Sequence, residues 1–129
     1  MANAVGPERD FAEYCKNGIF LEVRWSVVFV NEQVREELEA LPKDIMASFL
    51  RISRLIQSEG LERMREPYVN HLEGRLWEMR MRGRDGIARA AYVTASGRRV
   101  VVVRVFPKKT QKTPRREIDL ALRRAREIQ

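Results

Sequence analysis

Hydrophobic and polar residues are arranged in two periods along this chain, and the change of period marks its elements. From Glu22 to Val30 β-branched and aromatic residues accumulate, which predicts a first strand. Asn31 then suits a helix N-cap, and Val34, Leu38 and Leu41 fall on one face of a helix reaching about Leu41. Pro42 ends that helix and opens a second over about 43–59, with Ile45, Phe49, Ile52 and Ile56 inward and Gly60 as its stop. Residues 61–74 read as irregular, broken by Pro67 and Gly74.

After residue 74 the period drops to two. Strands are predicted at about 75–82, 87–94 and 99–106, joined by the glycine-bearing turns Gly83–Gly86 and Ala95–Arg98. Val101, Val103 and Val105 are expected to be buried on the last strand. Pro114 fits the first position of a final helix capped by Thr113, with Ile118, Ala121, Leu122 and Ala125 inward. The order β-α-α-β-β-β-α predicts a small α+β domain. It would have an antiparallel sheet, an N-terminal helical hairpin and a C-terminal helix, with helices mainly on one face. Residues 1–20 read as a loose arm with a turn of helix near Phe11–Tyr14, and residues 21–129 as one domain.

Charge changes this picture. The net charge is +7 over 129 residues. Residues 75–129 carry 16 Lys/Arg against 5 Asp/Glu, whereas residues 1–74 carry 9 against 13. A polyanion partner for the C-terminal half is the natural reading. Cys15 and His71 are single, which excludes an intrachain disulfide, a cysteine-rich metal site and a His pair, and no metal or cofactor is expected. Cys15 is read as inert and His71 as a surface residue. No apolar run approaches the roughly 20 residues of a membrane span, and the default location is the cytoplasm.

Alternation also sorts the candidate chemistry. Glu78, Arg80 and Arg82 share one strand face, while Trp77, Met79 and Met81 share the other and are read as core. Arg89 joins the first group if Ala88, Ala90 and Tyr92 point inward. Arg104 and Phe106 follow on the last strand, with Lys108, Lys109 and Lys112 on the loop beyond. Fixed cations of this kind stabilise the charge that builds on a phosphodiester during in-line attack. Tyr92 and Phe106 could stack on bases, which suits single-stranded RNA. The competing reading is a solvated sheet face with snorkelling arginine stems, and alternation alone favours it. Against it, only Glu78 and Asp85 are acidic between Arg75 and Arg116. On either reading these side chains lie on the solvent face, so their removal is expected to spare the fold.

Three segments carry a family resemblance. They are Leu76-Trp-Glu-Met-Arg80, Arg89-Ala-Ala-Tyr92, and Phe106-Pro-Lys-Lys-Thr-Gln-Lys-Thr-Pro114 followed by Glu117-Ile118. Together they resemble the RelE/ParE toxin superfamily, in its HigB-like, phage-derived branch. The resemblance implies a RelE-like fold and a type II toxin paired with a small helix-turn-helix antitoxin. Such a toxin acts on the ribosome and its mRNA, and touches operator DNA only through the antitoxin. It implies metal-independent cleavage of mRNA by a ribose 2′-hydroxyl. Mapped onto this chain, Arg80 and Arg89 would clamp the scissile phosphate. Lys108 or Lys109 would stabilise charge or protonate the leaving oxygen, and Glu78 or Tyr92 would accept a proton. Arg82, Tyr92, Arg104, Phe106 and Lys112 are the expected RNA contacts. Many relatives in this branch carry His where this chain has Arg104. The alternative is a toxin-fold regulator without catalysis, or a ParE-like protein directed at DNA gyrase.

Overall fold

The computed structural model describes residues 24–128. The expected arm over residues 1–20, Cys15 and the start of the expected first strand at Glu22 lie outside the described residues. Strand β1 (Ser26–Phe29) leads to helices α1 (Glu32–Glu39) and α2 (Lys43–Glu59). Strands β2 (Val69–Glu73), β3 (Leu76–Gly83), β4 (Gly86–Ala95) and β5 (Arg99–Lys108) follow, and helix α3 (Arg115–Ala125) closes the described chain. The α+β class and the expected order hold, with one strand added. β2 lies in the segment read as irregular, because Pro67 and Gly74 bracket a run of only five residues.

The sheet order is β1-β5-β4-β3-β2. β2 to β5 form the antiparallel part, but β1 runs parallel to β5, so the sheet is mixed. The helical hairpin between β1 and the later strands makes this parallel return possible. Local signals behave as their chemistry dictates. The Val34 N–H donates to the Asn31 side chain at 3.1 Å. Gly60 ends α2 at φ 94°, a left-handed value that glycine adopts without strain. At Gly83 a Cβ would meet Ile45 at 2.6 Å, so only glycine lets the β3–β4 turn close onto the start of α2.

Each sheet face has its own core. The hairpin packs Val34, Leu38, Ile45, Phe49, Ile52 and Ile56 against one face, including Met79, Met81, Ala90 and Tyr92. Helix α3 packs Ala121 and Ala125 on the other face, against Leu76, Val93, Val101 and Val103. Two of the three described helices thus lie on one face, and α3 lies on the other. Val100 to Val103 are all buried because β5 is covered on both sides. Val101, Val103 and Val105 are buried as expected, yet Val105 faces the hairpin while the other two face α3. A bulge explains the change: Ala91 pairs with Arg104 and Tyr92 with Val102, leaving Val103 unpaired. Trp77 departs from the expected core, with 38% of its surface exposed near the start of β3.

An ion network locks α1, β5 and α3 together. β1 covers β5 only as far as Val102, so the rest of that edge needs other partners. Glu37 of α1 supplies them, accepting from the Val105 N–H at 3.0 Å and from Arg124 at 3.1 Å. Arg104 Nη1 lies 2.8 Å from Glu37, and Arg104 Nε donates to Glu117 at 2.6 Å. Arg124 also donates to the carbonyl of the unpaired Val103 at 3.0 Å.

Burial pushes the Glu37 carboxyl up, but the Arg124 and Val105 hydrogen bonds and the Arg104 charge outweigh it and leave it below the ordinary 4.5. As pH falls, the unfolded chain therefore takes up this proton before the folded one. The stabilisation is complete above 4.5 and is lost as pH drops through the lower folded value. Glu37→Gln should be less stable than the parent near pH 7, and the gap should narrow in denaturant titrations below pH 4.5. A gap independent of pH would contradict this.

Candidate RNA-cleavage site

Register alone assembles the site. Glu78, Ala91 and Arg104 lie side by side across β3, β4 and β5, as do Arg80, Arg89 and Phe106, and then Arg82, Ile87 and Lys108. Cross-strand partners share a face, so all three rows lie on the face that carries α3. The helix covers only one end of that face. Arg115 pins its start to β2 through Glu73, at 2.6 Å.

Glu78 is the centre of the arrangement. It is 1% exposed, yet it is surrounded by polar partners. Its Oε1 accepts from the Thr113 hydroxyl at 2.7 Å. Its Oε2 accepts from Arg89 Nε at 3.3 Å and Asn70 Nδ2 at 3.4 Å. Lys108 Nζ lies 3.9 Å and Arg80 Nε 4.0 Å from the same oxygen. Three cations thus converge on one carboxylate, leaving two positive charges in excess.

The cations differ in what they can reach. Arg89 and Lys108 are only 6% and 5% exposed, so they do not lie on a solvent face as the alternation implied. Lys108 is turned toward Thr113 in the loop after β5, and Arg89 toward Glu78 and the Ala88 carbonyl. Burial holds the Arg89 guanidinium below its ordinary value; Glu78 opposes the shift, and Arg80 and Arg82 reinforce it. Burial likewise lowers the Lys108 ammonium, with Glu78 pulling it up and Arg89 and Arg80 pushing it down. The Arg80 side chain is 30% exposed, and Arg82, Lys109 and Lys112 are open to solvent. A pocket of about 300 Å³ lined by Asn70, Leu72, Glu78, Lys108, Lys112 and Thr113 opens beside the cluster.

Three expected contacts stand apart. Arg104 is engaged by Glu37 and Glu117, whose hydrogen bonds raise its pKa. Phe106 is on the right face but buried, with the Arg104 guanidinium 5.8 Å from its ring centre. Tyr92 lies on the opposite face in the hairpin core, and burial pushes its phenol well above the ordinary value. A hollow of about 370 Å³ beside Tyr92 and Trp77 is larger than the first pocket but lacks the three-cation cluster.

Asn70 and Thr113 were missed in the sequence. Asn70 lies on the unrecognised β2. Thr113 has the right residue type for a cap, but α3 begins at Arg115 without a side-chain cap, and the hydroxyl turns to Glu78 instead. Among the described residues no group of three or more His, Cys, Asp or Glu is placed to hold a metal ion, and no helix is long and apolar enough to cross a membrane.

Breaking a buried ion pair by removing one partner costs about 3–5 kcal/mol, because the other charge stays buried. Arg89→Ala should therefore lower unfolding stability by about that amount, whereas exposed Lys109→Ala should change it by less than about 0.5 kcal/mol. Equal effects in urea titrations would refute the burial assignment.

The family model described as "Phage derived protein Gp49-like (DUF891)" matches residues 36–126. Among solved structures, the chain is similar to one in the archaeal RelE–RelB complex from Pyrococcus horikoshii OT3. The two share 26% identity over 65% of this chain and 94% of that one, at a TM-score of 0.48. No curated protein matches the chain. The family match spans the helical hairpin, the antiparallel strands, the cation cluster and α3, and by it the chain belongs to the phage-derived Gp49-like family, a family of the RelE/HigB toxin type.

Proposed function

We propose that this protein is the toxin of a type II toxin–antitoxin pair and cuts messenger RNA on the ribosome. The observation that supports this reading best is the convergence of Arg80, Arg89 and Lys108 on the buried Glu78, with net positive charge beside an open pocket. A phosphodiester entering there meets Lys108, already held in place by Thr113 and Glu78.

In this reading the ribose 2′-oxygen attacks phosphorus, its hydroxyl proton passing to solvent water, and the bond to the 5′-oxygen breaks. The ends formed are a 2′,3′-cyclic phosphate and a 5′-hydroxyl. Arg80 is the most accessible of the three cations and contacts the non-bridging oxygens. Lys108 donates a proton to the leaving 5′-oxygen, and its lowered pKa makes it a stronger acid than a solvent-exposed lysine. Arg89 braces Glu78 from below. Glu78 organises the cations and does not serve as the base, since its oxygens already have partners. Exposed Arg82, Lys109 and Lys112 track the RNA strand. The partner is a small helix-turn-helix antitoxin whose acidic groups would compete for the same cations, and operator DNA is bound only through it.

The test is to induce the protein alone and map RNA 5′-ends, then repeat with Arg80→Ala and Lys108→Ala. Each should lose on the order of 10²–10³ in cleavage rate while ribosome binding falls far less. Normal cleavage by both variants would move the site elsewhere. Growth arrest without new RNA ends would favour a gyrase-directed or non-catalytic toxin.

A further inference from the structure

We infer that Thr113 is a positioning residue for the cleavage chemistry, holding Lys108 against Glu78 through a shared hydroxyl. The inference rests on the proposed RNA cleavage and adds a residue to its site. Lys108 Nζ donates to Thr113 Oγ1 at 3.3 Å, and the same hydroxyl donates to Glu78 Oε1 at 2.7 Å. Direct contact between Lys108 and Glu78 is longer, at 3.9 Å. The hydroxyl is thus the closest link between the ammonium and the carboxylate.

A threonine hydroxyl is suited to this position, because it accepts from the ammonium and donates to the carboxylate at once. A lysine has four rotatable bonds and needs such a tether to hold its charge in one place. Both side chains are buried, which strengthens the hydrogen bonds through the hydroxyl. The tether also fixes the basic loop. Lys108 ends β5 and Thr113 directly precedes Pro114 at the start of α3, so one hydrogen bond closes the loop carrying Lys109 and Lys112. A second bond inside the loop, from the Thr110 hydroxyl to the Lys112 carbonyl at 2.8 Å, supports its shape.

The experiment compares Thr113→Val, which keeps the shape and removes the hydroxyl, with Thr113→Ser, which keeps the hydroxyl. In ribosome-dependent cleavage of a defined message, Thr113→Val should lower kcat about 10–100-fold with little change in KM. Thr113→Ser should restore most of it. Equal activity of Thr113→Val and the parent overturns the inference, as does equal loss in both variants. Nitrogen-resolved NMR of the Lys108 ammonium provides a readout independent of cleavage. Its slowly exchanging signal should persist in the parent and in Thr113→Ser and broaden or vanish in Thr113→Val. An unchanged signal in Thr113→Val overturns the tether. If the parent makes no new RNA ends while the NMR pattern appears, the tether stands and the cleavage reading falls.

Discussion

One buried carboxylate holds the basic half of this protein together. Glu78 is removed from water in the middle of β3, where an unpaired charge would be severely destabilising. The fold answers with Arg89 from β4, Lys108 from β5, Asn70 from β2 and Thr113 from the loop before α3. Four separate segments therefore report to one side chain. Strands β2, β4 and β5 each send a side chain to it, and the long side chains of lysine and arginine are confined. The cluster's excess positive charge is a consequence: the cations needed to satisfy one buried acid outnumber it.

A second ion network on the same β5 strand shows what distinguishes a scaffold from a site. Glu37 and Glu117 meet Arg104 and Arg124, two acids for two bases, at the edge where β1 ends. Those charges balance, and their hydrogen bonds are spent on α1, α3 and the bulge at Val103. The Glu78 cluster has three bases for one acid and a pocket at its side. Charge balance separates the two networks even though both join cations and carboxylates around one sheet. It also explains why Arg104 serves the fold in this chain.

Much of this was legible in the sequence, for identifiable reasons. The helical hairpin was readable because Val34, Leu38, Ile45, Phe49, Ile52 and Ile56 obey one period and Asn31 and Gly60 are strong boundary residues. The shared face of Glu78, Arg80 and Arg89 follows from strict alternation, which survives the folding intact. Burial was the part that alternation hides. Period two assigns a residue to a face but does not say what covers that face, so Arg89, Lys108 and Phe106 read as exposed although the fold buries them. The bulge in β5 and the parallel pairing of β1 are long-range outcomes with no local signature. β2 was too short and too closely bracketed by Pro67 and Gly74 to announce itself.

If Glu78 holds the surrounding cations in place, it must favour the charged form of Lys108. The most direct measurement is the pKa of the Lys108 ammonium, followed by nitrogen-resolved NMR titration in the parent and in Glu78→Gln. Burial lowers this group from 10.5, and among its surroundings Glu78 is what resists that fall while Arg89 and Arg80 deepen it. The account predicts a parent value below 10.5 and a further drop in Glu78→Gln. A Lys108 pKa that stays the same or rises when Glu78 loses its charge would contradict it.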